Sequence, residues 1–157
     1  MDPLQLLAEW PVAAALRRSE LLYPTVNAAH ILSIGMLVGA IFTLDLRVIG
    51  AFGRAPLAVL GPPLVQMAAV GVGLALVTGF LLFSVRPSAY ATNPAFLIKL
   101  GLIAAGLLNV LLLRLGEGWR RALAGGPVTA LVRMAAIASM LIWVSAVLAG
   151  RWIAFLD

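Results

Sequence analysis

Two side chains stand out because hydrocarbon tolerates neither unaided. His30 is the only histidine and Lys99 the only lysine of the chain, and each falls within a long apolar run. An ionisable group at membrane depth costs at least a few kcal/mol unless it faces protein, water or a bound group, so both are functional candidates. An imidazole is a ligand for iron, copper or zinc, and an amine can pair with an anion.

Depth sharpens the coincidence. His30 lies seven residues past Tyr23, about 11 Å along a helix, and Lys99 five residues past Pro94, about 8 Å. In an up-down bundle the first and third spans run the same way, so the two cationisable groups are expected in one layer. No acid accompanies them there. Either both are neutral, or Lys99 reaches outward to the interface, or a guest between them supplies electrons or negative charge. A haem with its propionates, or a metal, meets that last demand.

The elements that position these residues follow from composition. Of 157 residues 63% are hydrophobic and 11% charged, with a mean hydropathy of +1.09, against about 25% charged in soluble domains. Four apolar runs, about 21–49, 63–85, 94–115 and 128–155, are each long enough to cross ~30 Å of hydrocarbon at about 1.5 Å per residue. The connections carry breakers at Gly50 to Gly53 and on to Pro62-Pro63, at Arg86-Pro87 to Asn93-Pro94, and at Gly116 to Gly126-Pro127. The expectation is an all-α polytopic membrane protein: one domain over residues 1–157, an up-down four-helix bundle. Residues about 3–18 read as a short interfacial amphipathic segment broken near Pro11, with Trp10, Arg17 and Arg18 at headgroup level. Its acids Asp2 and Glu9 do not suit a secretory signal.

Absence of cysteine removes disulfides, iron–sulfur clusters, thiolate haem ligation and covalent haem attachment. The net charge of +5 resides in arginines placed between the apolar runs, where charge orients spans and grips headgroups; lipid, and not nucleic acid, is the implied partner. Arg17, Arg18, Arg86 and Arg151 fall on the side of the N-terminus, and Arg47, Arg54, Arg114, Arg120, Arg121 and Arg133 on the other. The excess of positive charge places the second group in the cytoplasm and both termini outside.

On a helical projection the residues within about 60° of His30 include Tyr23, Asn27, Ser33, Ile34, Leu37, Ile41 and Asp45, one polar stripe turned inward. Gly35 and Gly39 lie opposite, in the spacing that admits a neighbouring helix. Gly106 shares the Lys99 face two turns deeper, and Ser139, Trp143 and Gly150 share one side of the fourth run, with Met140 beside them. Glycines at 71, 73 and 79 offer further room for a guest. Met36, Met67, Met134 and Met140 are soft thioethers that iron or copper(I) accept, although methionine in an apolar helix most often packs. Asp45 with Arg47 reads as a surface pair or cap where the first span leaves the membrane, and Asn109 as a bond to another helix. Glu117 with Arg120 and Arg121 has surface ion-pair spacing worth tenths of a kcal/mol. There is no phosphate loop, catalytic serine constellation or paired-carboxylate site, so no catalytic set is assigned. The candidate cofactor-binding set is His30, Lys99, Asn27, Gly35, Gly106 and Trp143, with His30 and Met140 as candidate metal ligands.

Tyr23-Pro-Thr-Val-Asn-Ala-Ala-His30 with Gly35, Gly39 and Asp45-Leu-Arg47, the block Asn93-Pro94 to Lys99 and Asn109, and Trp143 with Gly150-Arg151 together resemble an uncharacterised family of bacterial four-helix inner-membrane proteins. That resemblance implies a multi-pass protein of the bacterial inner membrane and assigns no activity. A more distant similarity is to copper-resistance D-type and HemJ-like membrane proteins, whose HemJ-like members bind b-type haem. It implies His30 as an axial ligand and Lys99 as a second ligand or propionate partner. A single histidine departs from those families, so six-coordinate haem would need Lys99, a methionine or a second subunit.

Three readings stay open. The chain binds haem b or a redox metal between the first and third spans; or it is a non-catalytic scaffold or assembly partner in which His30 and Lys99 are structural; or it conducts copper or protons. A porphyrin-related oxidoreductase role rests on the distant similarity alone. A homodimer, or a redox or assembly protein, is the partner class these readings call for.

Overall fold

A computed structural model describes residues 2–51 and 55–156. Phe52, Gly53 and Arg54, and with them part of the first connection and one arginine of the charge count, lie outside the described residues. Among those described, all regular structure is helical.

Asp2 opens α1 (Pro3–Glu9): its Oδ1 accepts from the Leu4 N–H at 3.0 Å, and Pro3 takes the first helical position, where no donor is missed. Pro11 opens α2 (Pro11–Arg18) in the same manner, so the amphipathic segment breaks at Trp10, as the sequence indicates. The Arg17 guanidinium fastens the segment, donating to the carbonyls of Ala8 and, at 3.1 Å, Val85.

Four helices are long and apolar enough to cross a membrane: α3 (Leu22–Ile49), α4 (Leu57–Val85), α6 (Pro94–Leu115) and α8 (Ala130–Trp152), the last prolonged by a 3-10 turn at Ile153–Phe155. The chain is a multi-pass membrane protein. α3 stops at Gly50, whose φ of 109° only glycine adopts readily, and the Ala51 N–H bonds back to the Leu46 carbonyl at 2.9 Å. α6 opens on Asn93, whose Oδ1 accepts from the Phe96 N–H at 3.2 Å, with Pro94 next in line.

Two expectations need correction. The second span starts at Leu57, six residues before the expected 63, because Pro62 and Pro63 lie within the helix and do not break it. Their rings cost the bonds to the Ala58 and Val59 carbonyls and leave φ in the helical range. The second and third connections are also partly helical: α5 (Pro87–Thr92) starts on a proline at its first position, and α7 (Glu117–Leu123) carries a Glu117–Arg121 ion pair one turn apart.

α3 packs between α4 and α8, α6 leans on α8, and α4 and α6 make no close backbone approach. Near one end Phe83 of α4 stacks on Phe96 of α6 at 5.4 Å, with Tyr90 of α5 against both. At the other, α7 touches α4, α6 and α8; its Trp119 and Ala122 join Val48, Leu57, Val132 and Ala136 in a buried cluster. Between them Leu37, Ile41 and Trp143 form the mid-membrane core.

Candidate interhelical polar site

His30 and Lys99 occupy one level. His30, half-buried on α3, faces α4: its Nδ1 lies 2.8 Å from Thr78 Oγ1. The Thr78 hydroxyl also donates to the Leu74 carbonyl of its own helix at 2.7 Å, which fixes its position beside the ring. Lys99, half-buried on α6, lies against α8: a Cβ at Gly150 would stand 3.5 Å from its Cδ, Cε and Nζ. Its charge is close enough to act on His30.

Of the glycines that offered room for a guest, Gly71, Gly79 and Gly106 are already filled by neighbours, whereas Gly73 has nothing within 4 Å. A Cβ at Gly79 would stand 3.1 Å from His30 Cε1, and one at Gly106 would stand 2.9 Å from Trp143 Cζ2. At Gly71 it would meet the backbone N of Leu37 at 2.8 Å, the closest approach of α3 to α4 at these glycines. The donor set offers one imidazole, bonded to Thr78, and the chain has no second histidine to pair with it.

The remaining candidates disperse. Asn27, one turn before His30, is exposed. Gly35 and Gly39 have nothing within 4 Å, so no helix of this chain uses that spacing; α3 meets its neighbours through the opposite face. Met140 lies ten residues from Gly150 on α8, about 15 Å along the axis, and so sits well away from His30. Met67 and Met134 are 47% and 65% exposed and face outward. Among the described residues, no group of three or more His, Asp or Glu side chains could hold a metal ion.

Asp45 is the residue that sequence reasoning misplaced. It is no surface pair with Arg47: it is buried on α3 with the Ser139 hydroxyl of α8 facing its carboxylate, while Arg47 turns away to donate to the Ala55 carbonyl. The helical projection carried the signal, since Asp45 shares the inward stripe of His30, Ser33, Leu37 and Ile41. Asn109 does bond another helix, its Nδ2 donating to the Ala135 carbonyl of α8 at 3.0 Å.

Single polar contacts thus join the apolar helices at His30 and Asn109, and Lys99 lies against Gly150. A family profile matches residues 19–156, all but the amphipathic α1–α2 segment and the last residue. The chain belongs to DUF6644, a family of unknown function. No curated protein and no solved structure matches it. Within this DUF6644 member the matched region holds all four candidate spans and both polar levels, one at His30 and Lys99 and one at Asp45 and Ser139.

Proposed function

We propose that this chain is a non-catalytic membrane module, a scaffold or assembly partner, whose in-membrane polar residues tie its helices together. One observation carries the reading: each pair of long apolar helices that packs has its own polar side chain at the contact. His30 links α3 to Thr78 of α4, Asn109 links α6 to Ala135 of α8, and Asp45 of α3 faces Ser139 of α8. Such bonds are worth about 0.6 to 2 kcal/mol each in a bilayer. A conduit for protons or copper is supported less well, because Leu37, Ile41 and Trp143 fill the interior between the two polar levels.

The test is an absorption spectrum of detergent-purified protein, oxidised and then dithionite-reduced, together with a His30→Gln variant. The expected protein is colourless, and His30→Gln keeps its helicity, its elution volume and its co-purifying partners. A Soret band lost on His30→Ala would overturn this reading in favour of the haem protein suggested by the distant HemJ-like similarity.

A further inference from the structure

Among the described residues, two buried polar atoms have no hydrogen-bond partner: Asp45 Oδ2 and Trp143 Nε1. Asp45 is 6% and Trp143 3% exposed, so bulk water does not serve them. Such an orphan is costly to bury, and more so when it is charged. They belong to one seam. Asp45 faces Ser139, and Trp143 follows Ser139 by one turn on the same buried side of α8. Trp143 packs on Leu37 and Ile41 of α3, the latter one turn before Asp45, with its Cε2 edge toward Gly106 of α6.

The two orphans have opposite character. The indole N–H can only donate, and the free oxygen of an ionised carboxylate can only accept. A metal cation would satisfy the oxygen and be repelled by the N–H; an anion would do the reverse. Among the described residues the one ion pair is Arg121 with Glu117, so no arginine or lysine neutralises Asp45.

We infer that the α3–α8 seam binds a small guest that accepts one hydrogen bond and donates another, water in the first place, held between Trp143 Nε1–H and Asp45 Oδ2. The site lies about 6 Å inside the end of α3 and is separated from the His30 level by Leu37 and Ile41. Internal waters occur about once per 27 residues and make two to four bonds; Trp143, Asp45 and the Ser139 hydroxyl supply such a set. This site is independent of any role for His30 or Lys99.

The test is NMR of indole-15N-labelled protein in nanodiscs. The chain has 4 tryptophans, and the Trp143 signal is the one lost in Trp143→Phe. The expected result is a cross-peak between the Trp143 N–H and a long-lived water, lost in Asp45→Leu and kept in Asp45→Asn, which retains an acceptor. An intact fold with no water cross-peak, or a cross-peak unaltered by Asp45→Leu, overturns the inference. Should Asp45→Leu fail to fold, the infrared band of Asp45, identified by its loss in Asp45→Asn, gives a second readout. It must shift in Trp143→Phe, and an unshifted band overturns the site equally.

Discussion

The imidazole of His30 occupies the space that a side chain at Gly79 would need: a Cβ there would stand 3.1 Å from Cε1. The ring is thereby held between the α4 backbone and the Thr78 hydroxyl, and its orientation is set by packing as well as by the hydrogen bond. Gly79→Ala is expected to displace the ring and shift its 15N signals, which belong to a single histidine and need no assignment. Gly73→Ala, on the same helix with nothing within 4 Å, should leave them in place.

Thr78 anchors the ring at Nδ1. In Thr78→Val that hydrogen bond is lost at nearly unchanged side-chain volume, so the imidazole 15N signals are expected to shift. A cost of about 0.5–1.5 kcal/mol in unfolding free energy accompanies it. Thr78→Ser, which keeps the hydroxyl, should restore both.

Gly71 is the tightest of the glycine contacts between α3 and α4. Because the obstacle is the Leu37 backbone, 2.8 Å from the position of a new Cβ, Gly71→Ala must push the helices apart. The expected loss is about 1–3 kcal/mol, measured by reversible unfolding in mixed micelles and compared with the silent Gly73→Ala.

Asn109→Leu removes the side-chain bond from α6 to the Ala135 carbonyl. A loss of about 0.6 kcal/mol is expected from unfolding measurements. A loss above about 2 kcal/mol would show that Asn109 does more than bond one carbonyl.

From the placement of the arginines, the N-terminus and the C-terminus are predicted to lie outside. A reporter fused behind the last residue and active only outside the cytoplasm should give signal; one active only in the cytoplasm should not.

Most of the fold could be read from the chain because hydropathy and helix ends are local. The bounds of α6 agree with expectation at both ends, since Asn93 supplies the cap, the adjacent Pro94 the first position and Gly116 the stop. Local signals misled where a residue has two uses. Pro62 and Pro63 read as a break but fit the first turns of α4, and Pro87 reads as a break but begins α5. At the site, periodicity placed His30 and Asp45 on one inward stripe, yet proximity to Arg47 suggested a surface pair for Asp45. Deciding between them requires knowing that Ser139 lies opposite. Spacing alone likewise favoured Gly35 and Gly39, whereas the close approaches fall at Gly71, Gly79 and Gly106. Which small residues meet a neighbour depends on how each helix is rotated, a property of the assembled packing and not of any one helix.

The lack of close approach between α4 and α6 fixes the order in which the protein can be built. The α3–α4 hairpin has its full contact surface as soon as Val85 has been synthesised. The next span, by contrast, enters the bilayer before the helix it rests on exists, and α8 supplies that support. During translation the newly inserted α6 therefore waits beside a finished hairpin, and the final span docks on both sides at once, locking the pieces into a single unit.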